Sequence, residues 1–226
     1  MMYTDFAWEY LRRNSHYKQD WFVYSSAQEM YGDMELPSPK KWGLMDFVNP
    51  NQGRIEDVFW IKELSSRSVN LTFTKAGEIP ASYLIDNKKF RHKLFIDPDG
   101  MSCLKIFDEH DYFQLFIDSN ELNCIGSKEW FLCISLSNNF FGDLKKLRRF
   151  FIQNEKKTLR NRKDFSFLHM YDNFMEGRSL KEIANILYPS EVAISNWSSD
   201  SWVRARVRYG IRRATSLING GYFSFL

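Results

Sequence analysis

From Val69 the apolar residues of this chain alternate with polar ones, and beyond Asn139 they recur every three or four residues. A period of two belongs to a half-buried strand and a period near 3.6 to an amphipathic helix, so sheet and helices are segregated along the chain. Val69, Leu71 and Phe73 alternate with Asn70, Thr72 and Thr74, which predicts a strand. Lys93 to Asp97, the turn residues Asp97, Pro98, Asp99 and Gly100, and Ser102 to Phe107 read as a hairpin. Tyr112 to Asp118 and Trp130 to Ser135 complete an expected antiparallel sheet. Ahead of it, Phe6 to Tyr17 reads as one amphipathic helix and Val58 to Ile61 as a short strand, separated by turn-forming residues at 37–39 and 49–53.

The expected fold class is therefore α+β: an N-terminal helix and a small antiparallel sheet, followed by a C-terminal all-helical domain resembling a helix-turn-helix. The expected divisions are an N-terminal module at 1–78, a β segment at 79–140 and a helical domain at 141–226, with a boundary at Gly77 to Pro80. At 226 residues, 44% hydrophobic and 17% aromatic, the chain can bury a sizeable core rich in rings. No apolar run approaches the roughly 18 residues that a membrane span requires, and Met1 to Tyr10 lacks the pattern of a signal peptide, so a cytoplasmic protein without membrane contact is expected. Cys103, Cys124 and Cys133 match no zinc spacing and read as reduced, mostly buried side chains. No cofactor is implied.

Net charge is +3, but its distribution is uneven. Up to residue 140 there are 15 basic and 20 acidic residues; after it, 16 basic and 8 acidic. A concentrated positive region attracts polyanions, and double-stranded DNA is the partner this implies.

Within the basic part, Phe140, Phe141, Leu144, Leu147 and Phe151 predict a first helix, and Phe165 to Glu176 predicts a second that stops at Gly177. Ser179 and Glu182 form a capping box for a third, whose stripe is Leu180, Ile183, Ala184 and Leu187 and which carries Lys181 outside it. The succession suggests a helix-turn-helix. Ser201 to Ile218 is the most informative segment. At 100° per residue, Val203, Val207, Gly210, Ile211, Ala214, Leu217 and Ile218 fall within roughly 220° to 340° of Arg204, while Arg204, Arg206, Arg208, Arg212 and Arg213 spread over roughly 0° to 200°. Ala205 and Tyr209 lie in the middle of that cationic face, where a base edge can approach. No acidic residue follows Asp200, so no arginine here has an acidic partner three or four residues further on. Guanidinium forks suit phosphate and the O6 and N7 acceptors of guanine. The plainer alternative is a solvated polar face.

Ser190 to Trp197 could instead be the recognition helix, but it holds Glu191 and no lysine or arginine. Tyr188 to Asp200 therefore reads as a long connection in which Val192, Ile194 and Trp197 pack on the core. Lys156, Lys157, Arg160, Arg162 and Lys163 form a second basic cluster that reads as a solvated linker face with some phosphate contact. An enzymatic site at Asp97, Asp99, Glu109, His110 and Asp111 is a rival reading. Adjacent residues on a strand or turn point different ways, and the four histidines, His16, His92, His110 and His169, lack ligand spacing. No catalytic or metal site is expected. A further alternative is a protein-binding regulator without DNA contact, docking through the N-terminal helix and the tail residues Tyr222, Phe223, Phe225 and Leu226; the tail can equally pack within the molecule.

The runs SLKEIANILYP and SWVRARVRYGIRRATSLINGGY resemble the C-terminal DNA-binding domain of a group of proteobacterial regulators, the type VI secretion transcription-factor type. FAWEYLRRNSHYKQDW, WGLMDFVNP and VFW resemble the transcriptional-regulator-like module that precedes it in two-module members. The resemblance implies a regulator linked to integrative and conjugative elements, often an activator. Its implied partners are DNA and a small antagonist related to its own C-terminal domain; apart from the resemblance, the acidic N-terminal module is a candidate to touch RNA polymerase or an antagonist. It places Arg204, Arg206, Arg208, Arg212 and Arg213 on the arginine-rich helix and Gly220, Gly221 and Tyr222 at the motif ending it. Oligomeric state is left open.

Overall fold

The computed structural model of the protein describes residues 3–27, 36–86, 90–97, 100–134, 140–152, 158–194 and 197–226, with the backbone alone at 140, 149–152, 158–163, 193 and 194. The chain opens with two helices where one was expected, α1 (Phe6–Leu11) and α2 (Ser15–Ala27). Asn14 makes the break. Its Oδ1 accepts the backbone N–H groups of His16 (2.9 Å) and Tyr17 (3.0 Å), offering the chain a local partner that starts a new helix in a new direction. The strand expected at Val58 to Ile61 is reduced to a single bridge between Leu44 and Trp60. Gln114 explains this: its Oε1 accepts from Trp60 N (3.0 Å) and its Nε2 donates to Trp60 O (2.7 Å), so a side-chain amide takes the place of a neighbouring strand.

Five strands, β1 (Ser68–Thr74), β2 (Arg91–Ile96), β3 (Met101–Phe107), β4 (Tyr112–Asp118) and β5 (Phe131–Ile134), form one sheet in the order β2-β3-β4-β1-β5. The expected hairpin is present, with Arg91 opposite Phe107 and Ile96 opposite Ser102. The sheet is mixed, not purely antiparallel, because β1 runs parallel to β4 and antiparallel to β5. Alternation reports which face of a strand is buried and carries no information on its direction. The expected boundary at Gly77 to Pro80 falls inside the sheet, between β1 and the later strands that flank it.

One face of the sheet forms an apolar core from Val69, Leu71, Leu104, Ile106, Phe113 and Leu115, covered by α3 (Tyr83–Asp86), by Cys124 and by Leu147 of α4 (Phe140–Ile152). The opposite face meets the N-terminal segment through a polar side chain that alternation leaves unexplained. Lys105 is fully buried. Its Nζ donates to the carbonyls of Ile55 (3.0 Å) and Val58 (2.6 Å) and lies 4.3 Å from the Tyr112 ring centroid. Burial, only partly offset by Asp5, lowers this ammonium to about 8. Of the cysteines, Cys103 and Cys124 are buried and Cys133 is exposed.

The helical part comprises α4, α5 (Thr158–Met175), α6 (Leu180–Leu187), α7 (Pro189–Ile194) and α8 (Trp202–Ile218). Gly177 ends α5 in the left-handed conformation (φ 83°), as its type allows. The connection expected to be irregular from Tyr188 to Asp200 contains α7, with Val192 and Trp197 packed on the core; the side chain of Ile194 lies outside the described residues. The two ends of the chain share a single core. Tyr3, Phe6, Trp8, Tyr10, Tyr17 and Trp42 pack with Leu168, Ala214, Leu217, Ile218, Tyr222 and Leu226. Tyr222 donates its hydroxyl to the carbonyl of Trp42 (3.2 Å), and Phe225 stacks on Phe6 and Tyr10 at 5.9 and 5.6 Å between centroids. The tail thus packs within the molecule.

Candidate nucleic-acid interface

Burial along α8 divides by helical angle as its sequence demands. Val203, Val207, Gly210, Ile211, Ala214, Leu217 and Ile218 are buried, and Ala205, Arg206, Arg208, Tyr209, Arg212 and Arg213 are exposed, with Arg204 intermediate. Small residues set how close the helix sits. A methyl on Gly210 would overlap Met170 Sδ of α5 and press on Phe167, so glycine lets the two helices meet this closely with the Met170 side chain where it is. Close packing along α5 fixes the rotation of α8 and hence the direction in which its arginines point.

Among the described residues, none of Arg204, Arg206, Arg208, Arg212 and Arg213 makes an ion pair. Arg206 is held differently from the others. Its guanidinium lies 4.5 Å from the Tyr188 ring centroid, and the Tyr188 hydroxyl is 3.2 Å from Ser166 Oγ, so this side chain is tied to the C-terminal end of α6 and to α5. Tyr209 is 54% exposed and leans its ring edge-on against Phe167 at 5.8 Å. Trp202, 53% exposed, stands seven residues before Tyr209 on the same face. Sequence reasoning passed over it, although its angle, near that of Tyr209, places it with the cationic side.

α6 flanks this surface. Its capping box is closed on both sides: Glu182 N donates to Ser179 Oγ (3.3 Å), while Glu182 Oε2 accepts from Ser179 N (2.7 Å). The Ser179 hydroxyl also donates to Glu182 Oε2 (2.7 Å), and together with the backbone bond this holds the Glu182 carboxyl below its ordinary value. Lys181 lies exposed in the first turn. Lys156 and Lys157 fall outside the described residues, as does the side chain of Arg160.

The described residues of the N-terminal segment brace α5 and the end of α8. Arg13 pairs with Asp172 of α5, Tyr10 donates its hydroxyl to the carbonyl of Asp164 (3.1 Å), and Asn14 Nδ2 donates to the carbonyl of Ile218 (2.8 Å). This last bond satisfies a carbonyl that the end of α8 leaves without a helical partner. Of the residues considered for an enzymatic site, Asp111 pairs with Arg67 at 3.2 Å, and His110 and Asp111 donate their backbone N–H groups to Asp108 Oδ1; Asp99 lies outside the described residues. Among the described residues, no group of three or more His, Cys, Asp or Glu side chains is placed to share a metal ion, and no helix is long and apolar enough to cross a membrane.

Residues 145–226 match the family described as T6SS, transcription factor, DNA binding domain, which takes in α5 to α8 and the tail. Residues 1–45 match the proteobacterial transcriptional regulator-like domain. Comparison with curated proteins gave no match. With a regulator-like module at its start and a transcription-factor DNA-binding module at its end, this chain is a two-module DNA-binding transcriptional regulator.

Proposed function

We propose that the chain recognises a specific double-stranded DNA sequence by laying the exposed face of α8 in the major groove. Arg208 and Arg212 read base edges there, Ala205 and Tyr209 lie against the groove floor, and Arg204, Arg213 and Lys181 hold phosphates. The observation that carries this reading is the set of arginines turned to solvent without ion pairs on a helix whose other face is core. An exposed cationic helix gains most from a polyanion, because each neutralised phosphate releases counterions. α7 is helical, yet it holds Glu191 and no lysine or arginine, which favours α8 as the reading helix within a helix-turn-helix-like arrangement of α6, α7 and α8. Arg206, tied to Tyr188, acts by orienting the surface more than by reading it. Lys156, Lys157 and Arg160 add sequence-independent phosphate contacts.

The finer reading is an activator linked to a mobile conjugative element, acting in the cytoplasm without catalysis and touching RNA polymerase or a small antagonist. It is supported by the sequence resemblance and, for RNA polymerase, by the acidic N-terminal module. Footprinting of the full chain on DNA around its own gene tests the core of the proposal: a discrete protected site, lost in an Arg208→Ala, Arg212→Ala double variant that keeps its melting temperature, is expected. Protection that is uniform along the DNA, or unchanged in the variant, overturns it.

A further inference from the structure

β2 ends the sheet order, so among the described residues one side of its backbone has no strand beside it. Which groups lie on that side follows from the ladder. Asp97 N donates to Met101 O (3.1 Å), and the same register sets Phe95, Lys93 and Arg91 opposite Cys103, Lys105 and Phe107. Bonded and non-bonded pairs alternate in an antiparallel ladder. The N–H and C=O groups of His92, Leu94 and Ile96 therefore point away from β3, and among the described residues no group bonds to them.

An open edge is ordinarily guarded by charge or proline. Here Arg91 and Lys93 stand at one end and Asp97 and Pro98 follow the other, so the apolar stretch lies between them. Leu94 and Ile96, within that stretch, are 40% and 58% exposed.

We infer that β2 pairs antiparallel with β2 of a second copy of this chain, about a two-fold axis at Leu94, joining two five-stranded sheets into one. The register is dictated by the backbone. For His92, Leu94 and Ile96 all to be satisfied on both strands, Leu94 must face Leu94 of the second copy and His92 must face its Ile96. The same register puts Arg91 opposite Asp97 and Lys93 opposite Phe95 of the second copy, so no like charges are opposed.

The walls beside the edge carry both signs. A cleft at the Arg91 end is lined by Arg54 and Arg91 beside Glu56 and Asp86, with Lys93 already paired to Asp57, and its Arg91 is the residue the register sets against Asp97 of the second copy. A cleft at the Phe95 end carries Asp46 and Asp57, the latter already paired with Lys93, and receives the second copy's basic residues.

The test uses the full chain without DNA, so its failure is distinct from any failure at α8. Sedimentation is expected to give twice the chain mass, falling to one chain mass in Leu94→Lys, which sets two ammonium groups against each other on the axis. In a Cys133→Ser background, oxidised Leu94→Cys is expected to run as a covalent dimer, whereas Ile96→Cys, which faces His92, stays single. A chain that sediments alone at every concentration overturns the inference. So does a dimer unaffected by Leu94→Lys, or equal cross-linking of the two cysteine variants.

Discussion

Arg13 grips Asp172 with two hydrogen bonds, Nε to Oδ1 at 2.8 Å and Nη2 to Oδ2 at 2.7 Å, and reaches Glu9 with Nη1 at 2.9 Å. A residue at the start of the regulator-like module thereby fixes the helix on which α8 packs. A fork-to-fork pair within a three-member network exceeds an isolated surface pair in value, though partial exposure limits it. Arg13→Ala is expected to cost about 1 kcal/mol, and Arg13→Lys most of that, since an ammonium cannot hold both oxygens in the same geometry. Urea unfolding measures both. Full stability in Arg13→Lys would show that charge alone suffices.

Gly210→Ala sets two effects against each other. Alanine favours a helix over glycine by about 1 kcal/mol, but the new methyl must displace Met170, itself buried, at the α5–α8 contact. Overpacking costs about 1 to 3 kcal/mol, so a net loss is expected. Combining Gly210→Ala with Met170→Ala should cost less than the sum of the two single losses, by at least about 0.5 kcal/mol. Additive losses would mean the helices do not meet through this pair.

Lys105 makes stability depend on alkaline pH. Its ammonium is brought from an ordinary 10.5 down to about 8, with burial the leading cause. Between those values the unfolded chain holds a proton that the folded chain has released, so stability from this residue rises with pH over that window. The buried thiol of Cys103 and the hydroxyls of Tyr10, Tyr17 and Tyr222 are pushed upward by burial and act in the opposite sense above about pH 9. Subtracting the profile of Lys105→Met from that of the parent chain isolates the lysine. The difference should climb towards roughly 3 kcal/mol between pH 8 and 10.5. Parallel profiles would refute the depressed ammonium.

Removing residues 221–226 takes Tyr222, Phe225 and Leu226 out of a core built mainly from the first 60 residues. Each fully buried large side chain contributes about 1.5 to 3 kcal/mol, so loss of the tail is expected to lower the melting temperature steeply and to expose Phe6, Tyr10 and Trp42. Thermal unfolding by circular dichroism and tryptophan fluorescence reports both effects. A truncated chain that melts like the parent would mean the ends are not one cooperative unit.

Legibility in the sequence followed physical cause. The α8 face, the Ser179–Glu182 box and the stop at Gly177 are local: spacing and residue type determine them within a few residues. The hairpin of β2 and β3 is local as well. What escaped depends on partners far along the chain. Asn14 breaks a helix while its amide also caps Ile218, 204 residues away. Gln114 replaces a strand beside Trp60, 54 residues before it. Lys105 sits on a strand whose pattern does not distinguish a buried cation from an exposed one. β1 took a direction that its alternation does not encode, and α7 was passed over because a proline-led segment of six residues offers too little periodicity. At the candidate interface the arginines were legible, whereas Trp202 and the Arg206–Tyr188 contact required the fold.

The central claim, that the exposed face of α8 reads DNA sequence, is tested most directly by salt titration of duplex affinity. Full-length parent, Arg212→Ala and Lys181→Ala chains would each be titrated on a footprinted site and on a random duplex. The account predicts that log Kd rises steeply with log salt for the parent on both duplexes. Arg212→Ala should lose about 1 to 3 kcal/mol on the specific site and much less on the random one. Lys181→Ala should lose affinity equally on both and flatten the slope by about one unit. Equal losses on both duplexes for Arg212→Ala, or parent binding that ignores salt, would contradict it.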